Sequence, residues 1–309
     1  MTQQPVDIVF GGTRIGNREL FKPENRLNEF FAVLTAHGVA TIDTAQSYGN
    51  SEETLGQTSA GDAFTIDTKW SPPSFTESSV AWATKEQIRS SAEESIRKLR
   101  VAAGIFYLHR PDPLTPIAET LWAVNEVHQR GHFERFGLSG FPPEEVEAIY
   151  HYCGEKGYPL PAIYQGSYNP LSRYKETELL PTLRRLGIGF YGYGPSAGGF
   201  LGKTVAEATD MAKTINTVSA ARRPYISDAK FLEALGRWNC IAEAEGVSSA
   251  ELAYRWITYH SALDRANGDA VIIGSSSPEQ LKDTLDGIDK GPLSADACES
   301  IQRIWESVR

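Results

Sequence analysis

Short apolar, β-branched runs alternate along this chain with longer segments of helical period. "DIVFGG", "VATIDT", "AFTIDTK", "GIFYLH", "HFERFGLS", "AIYQGS", "IGFYGY" and "DAVIIG" read as strands. Between them, "ENRLNEFFAVLTAHG", "TKEQIRSSAEESIRKL", "PIAETLWAVNEVHQRG" and "PEEVEAIYHYCGEKG" read as helices. So do "ETELLPTLRRLG", "DAKFLEALGRWNCIAEAEG" and "PEQLKDTLDGI" further on. Such alternation predicts parallel strands joined by crossover helices. Eight strands in 309 residues fit one closed α/β barrel of the (β/α)8 (TIM) type. The whole chain, residues 1–309, is expected to form that single domain, with long loops at its C-terminal face. The rival, a doubly wound dinucleotide fold, should carry GxGxxG between its first strand and helix. "FGGTRIGNREL" has glycines, but at other spacings.

A barrel of this kind builds its active site at the C-terminal ends of the strands, so polar residues there should converge. "TID" ends in Asp43, with Tyr48 in the loop beyond. "TIDTK" ends in Lys69, and "IFYLH" ends in His109. After Tyr48, Asn50 with Glu53 three residues later reads as a helix start. "SPPS" and "RPDP" follow Lys69 and His109 as turns.

An aspartate, a tyrosine, a lysine and a histidine together can deliver a proton to a carbonyl oxygen as a hydride reaches its carbon. A free tyrosine, with a pKa of about 10, is a weak acid near neutrality. A neighbouring ammonium stabilises the phenolate, and a carboxylate keeps that ammonium charged when it is buried. A histidine ring N–H can orient the carbonyl. The composition allows this: apolar content is 41% and charged content 22%, ordinary for a globular protein. A formal charge of -9 argues against a nucleic-acid surface. No secretory leader and no run of membrane-spanning length is read, so a cytoplasmic protein without a membrane partner is expected. Cys153, Cys240 and Cys298 read as reduced packing residues. His37, His128, His132, His151 and His260 read as structural or surface residues. A metal-dependent hydrolase using Asp43 and His109 would want an HxH pair, which is missing, so no metal is expected.

"TIDTAQSYGNSEETLG", "TKW" and "YLHRPD" resemble the catalytic segments of the aldo-keto reductases. "YQGSYNPLSRYKETELLPTLRRLGIGFYGYGPSAGGFLGK" most resembles the aflatoxin-aldehyde reductase branch. The resemblance implies a (β/α)8 barrel and a nicotinamide cofactor bound without GxGxxG. It also implies Tyr48 as proton donor, Lys69 as its partner, Asp43 as the counter-ion of Lys69, and His109 as carbonyl orienter.

For the cofactor, the resemblance implies close backbone approach at Gly12 and Thr13, and a carboxamide held by Ser139 and Gln165. Gly140 replaces the asparagine that most relatives carry. Tyr193 would stack on the nicotinamide, with Tyr191 as the fallback. Pro195, Gly198 and Lys203 would close over the pyrophosphate. Gly274, Ser276, Gln280 and Asp283 would hold the adenosine end, where Thr284 replaces another common asparagine. Ser277, Pro278 and Gln280 read as a helix start with a capping box. Lys203, Arg222 and Arg223 favour NADPH, while Glu279 and Asp283 leave NADH open. The loops at about 70–83 and 194–226 would choose a small-molecule carbonyl substrate. Trp70, and with it Trp82, suggests a flat or apolar one. The alternatives are a sugar or alcohol dehydrogenase running oxidatively, or a cofactor-binding regulatory subunit with little turnover.

Overall fold

In the computed structural model, residues 4–15, 25–72 and 80–309 are described. The strands are β1 (Asp7–Gly11), β2 (Thr41–Asp43), β3 (Thr65–Trp70), β4 (Ala103–Leu108), β5 (Phe133–Ser139), β6 (Pro161–Ser167), β7 (Gly189–Tyr193) and β8 (Ala270–Ile273). Each falls on a run that the alternation picked out. All pair in parallel in chain order, and β8 returns to β1 to close the barrel.

The helices wrap this barrel. First come α1 (Asn25–Ala36), α2 (Ser51–Gln57), α3 (Lys85–Leu99), α4 (Ile117–Gln129) and α5 (Pro143–Lys156). Then follow α6 (Lys175–Glu178), α7 (Leu180–Leu186), α8 (Val205–Ala212) and α9 (Arg223–Ile226). The last four are α10 (Ala229–Glu245), α11 (Ser249–Tyr259), α12 (Pro278–Asp289) and α13 (Ala295–Val308). The segment read as one helix from Glu176 is two, because Pro181 lacks the N–H that would continue the first across Leu179. The stretch 194–226 is not irregular throughout. Thr204 and Glu207 form a reciprocal capping box that starts α8. Of the loop expected at 70–83, residues 73–79 lie outside the described residues.

Strand alternation sorts side chains into two layers. Ile66, Trp70, Phe106, Leu108, Phe136 and Leu138 face outward into the large core under the helices. Val9, Ile105, Tyr107, Ile163, Tyr191 and Ile272 fill the barrel interior. The same alternation directs Asp43, Asp67 and Lys69 inward. Asp43 and Asp67 are register partners on β2 and β3, and Lys69 pairs with Tyr107 across β3 and β4. All three are buried.

Asp67 is wholly buried and neither carboxylate oxygen has a hydrogen-bond partner. Burial first, and the charge of Asp43 second, raise its pKa from 3.8 to about 8. Between those values the folded protein keeps a proton that the unfolded chain releases, so this group removes stability as pH rises through the window. Asp67→Asn cannot ionise. The melting temperature of the variant should therefore gain on the unsubstituted protein between pH 5 and pH 8, by on the order of 5–10 °C. Thermal unfolding at both pH values checks this; a difference that stays constant would contradict it.

Candidate active site

At the C-terminal mouth of the barrel, Lys69 Nζ donates to both oxygens of Asp43, at 2.7 and 2.6 Å, and to the Thr44 carbonyl at 2.7 Å. Gln165, from β6, donates its amide to Asp43 Oδ1 at 2.9 Å. Burial works to discharge Lys69, but the charge of Asp43 and, to a smaller extent, Tyr48 and Asp67 raise its pKa overall. The ammonium is thus fixed and charged, with no water needed to satisfy it.

The loop after β2 is tied down so that Tyr48 sits over this charge. The Thr44 amide donates to the Asp67 carbonyl, and the Gln46 amide to that of Lys69. Thr44 Oγ1 donates to Ser51 Oγ at 2.7 Å, and Ser51 Oγ donates to the Gly12 carbonyl at 3.0 Å. Lys69 Nζ lies 4.9 Å from the centroid of the Tyr48 ring. The His109 ring meets Tyr48 edge-on, with centroids 6.0 Å apart. Burial first, then the charges of Lys69 and Arg110, lower the pKa of His109 to about 3, so its ring is neutral at ordinary pH. His109 Nδ1 lies 2.8 Å from Ser71 Oγ. The four residues expected to act together meet at one place: Asp43, Tyr48 and His109 line the cleft, and Lys69 lies sealed beneath it.

That cleft, about 1140 Å³, runs from Tyr48 and His109 across the barrel mouth to the start of α12. Thr13, Ser139, Gln165 and Tyr193 line one part. Tyr193 is 44% exposed there, whereas Tyr191 points into the barrel interior. Gln165 lines the cleft with one amide N–H committed to Asp43. Gly140 lines the cleft with a φ of 77°, which suits glycine. Pro195, Gly198, Lys203 and Arg222 line the opposite wall, and Gly274, Ser276, Gln280, Asp283 and Thr284 the far end. Arg222 donates twice to the Gly198 carbonyl, at 2.9 and 2.7 Å, and so clamps the glycine-rich loop. Lys203 pairs with Glu207 at 3.1 Å. This donor set, two cations and a helix N-terminus along an open trough with hydroxyl and amide groups at its other end, fits an extended anionic dinucleotide.

Several expectations need correction. Trp70 does not face the cleft: it is an outward residue of β3, buried in the layer under the helices, and Trp82 is buried there too. Arg223 is exposed, donates to the Val218 carbonyl and does not line the cleft. Gly12 is buried behind Thr13, where an added Cβ would lie 2.8 Å from the Asp43 carbonyl oxygen. Asn50 sits at the start of α2 but makes no capping bond with its side chain. Ser277 caps α12, yet Gln280 returns to the Ser276 amide rather than to that of Ser277, so the box does not close. Thr284 spends its hydroxyl on the Gln280 carbonyl.

Arg14, Arg110 and Lys175 also line the cleft, and none was picked out from sequence. Arg14 directly follows "GGT" and Arg110 directly follows His109, so adjacency to strand ends was the available signal. For Asp67 the signal was its two-residue spacing from Lys69.

Comparison with known proteins agrees with this architecture. Residues 7–306 match the model of the aldo/keto reductase family. The oxidoreductase sirO of Leptosphaeria maculans is 35% identical, over 98% of this chain and 94% of its own length. An aldo-keto reductase of Pseudocercospora fijiensis is 37% identical, over 89% of this chain and 96% of its own. Aflatoxin B1 aldehyde reductase member 2 of Rattus norvegicus is 37% identical, over 88% of this chain and 77% of its own.

Proposed function

The chain belongs to the aldo/keto reductase family, a family of oxidoreductases, and from that premise we propose that it reduces an aldehyde or ketone to an alcohol with NADPH. The observation that carries this reading is the charged Lys69, fixed by Asp43 and set 4.9 Å from the Tyr48 ring centroid with His109 alongside. When bound, the cofactor supplies a hydride to the carbonyl carbon. Tyr48 gives its hydroxyl proton to the carbonyl oxygen, and Lys69 stabilises the phenolate left behind. In the tautomer whose proton is on Nε2, with Nδ1 facing Ser71 Oγ at 2.8 Å, the neutral His109 ring can donate to the same oxygen. Ser139 and Gln165 would hold the cofactor's carboxamide, and Tyr193 would cover its ring.

The substrate end of the cleft lacks the tryptophans that suggested an apolar ligand. Arg110 beside His109, and Arg14 after β1, support a carbonyl compound with a polar or anionic group instead. For the cofactor, Arg222 and Lys203 favour the extra charge of a 2′-phosphate. Glu279, which as a free acid would oppose it, is turned to Arg26 at 3.0 Å.

Tyr48→Phe should lower turnover by roughly 10²-fold or more with little change in cofactor affinity. Steady-state kinetics with a panel of aldehydes, followed by cofactor oxidation, tests it; near-normal turnover would refute the mechanism.

The protein should prefer NADPH over NADH by about tenfold or more. Arg222→Ala should reduce that preference and Arg223→Ala should leave it in place. Ratios of kcat/KM with the two cofactors decide the point, and equal efficiency in the unsubstituted protein would overturn the assignment.

A further inference from the structure

The mechanism above uses Asp43, one of two buried carboxylates that sit side by side on β2 and β3. Asp43 and Asp67 are register partners on adjacent strands, about 4.8 Å apart in the sheet, and both face the barrel interior. Asp43 is saturated by Lys69 and Gln165. Asp67 has two oxygens without a hydrogen-bond partner. The Ile105 amide and the charges of Arg135 and Lys69 act on it more weakly than burial does.

The groups around it come from every part of the wall. Asp43 faces it from β2, Lys69 from β3, the Tyr107 hydroxyl from β4, Arg135 from β5 and Tyr191 from β7. β1, β6 and β8 contribute Val9, Ile163, Gln165, Ala270 and Ile272, none of which titrates. The interior therefore holds two cations, Arg135 and Lys69, near two carboxyls and, during reaction, a phenolate; of the two cations, Lys69 is the one that holds Asp43 and lies against Tyr48. With Asp67 neutral, the Lys69–Asp43 pair carries no net charge and Lys69 serves Tyr48. With Asp67 ionised, a second anion draws on the same ammonium.

We propose that Asp67 is a positioning residue that acts through Lys69: a negative charge on its carboxyl, beside the Lys69–Asp43 pair, competes with the Tyr48 phenolate for the same ammonium, keeping the site proton-donating and biased toward reduction. The inference rests on the reductase reading above. Ionisation of Asp67 near pH 8 places this control at the edge of the working range. A purely structural aspartate would instead be satisfied by hydrogen bonds, as Asp269 is by Arg184 and the Phe190 amide.

The test compares the unsubstituted protein with Asp67→Asn from pH 6 to pH 10. It uses the aldehyde of a panel that reacts fastest, with NADPH, and the matching alcohol with NADP. In the variant, the ratio of reductive kcat/KM at pH 9 to that at pH 7 should fall about tenfold relative to the unsubstituted protein. The oxidative rate at pH 9 should rise by a similar factor. This is the order expected when two anions share one counter-ion at an effective dielectric constant of about 20. Superimposable profiles in both directions would overturn the proposal. Carboxyl carbon NMR of the unsubstituted protein gives an answer independent of the variant's folding. An Asp67 resonance titrating near pH 8 supports the proposal, and one titrating in the ordinary carboxylate range overturns it. Turnover lost in Tyr48→Phe with an unshifted Asp67→Asn profile refutes the role of Asp67 alone; turnover retained in Tyr48→Phe refutes Tyr48 as the proton donor, and no turnover of any aldehyde by the unsubstituted protein refutes the reductase reading itself.

Discussion

A lysine ammonium with no exposed surface, held against a carboxylate inside a barrel, is the constraint around which this protein is arranged. Burying such a pair is costly, and removing one partner typically destabilises a protein by about 3–5 kcal/mol. The surroundings meet every requirement the pair imposes. Asp43 accepts from Lys69 and Gln165, and the Thr44 carbonyl takes a further Lys69 proton. The loop that supplies this carbonyl also carries Tyr48. Its backbone hydrogen-bonds to Asp67 and Lys69, so the strand bearing the charge also sets the height of the phenol above it. Neutral His109 adds a donor without adding a second cation.

What could be read from sequence follows from which features are local. Strand runs and the residues that end them are local, so the eight strands and the positions of Asp43, Lys69 and His109 were legible. The direction of a side chain at a strand end is less so. Trp70 follows Lys69 by one residue and therefore faces the opposite side of the sheet, a period-two argument that the reading did not apply. Arg223 illustrates the same difficulty in a loop, where neighbours in sequence diverge: Arg222 turns back onto Gly198 while Arg223 points outward. The turning of Glu279 toward Arg26 joins residues far apart in the chain, and no local signal announces it.

The electrostatics of the cleft run against those of the chain. The protein carries a formal charge of -9, yet Arg14, Arg110, Lys175, Lys203 and Arg222 line this one trough. Among the described residues the acids there are fewer: Asp43 is neutralised by Lys69, which leaves Glu251 and Asp283. An acidic surface with a cationic groove focuses anionic small molecules into the groove while repelling polyanions elsewhere. The overall charge and the local charge thus act on different classes of ligand.

The hydrogen bond from Gln165 to Asp43 reaches from β6 to β2 and spans 122 residues of chain. It is a chord across the barrel rather than a rung of its wall. Before the wall closes, Asp43 and Lys69 face water, where an ion pair contributes only about 0–1 kcal/mol. Their full interaction exists only once strands from both ends of the sequence enclose them. A fragment holding β1 to β4 would contain both charges but neither the chord nor the enclosure. Half-barrels of this sequence should therefore not be autonomous folding units, and assembly of the catalytic charge and closure of the barrel become a single late cooperative event.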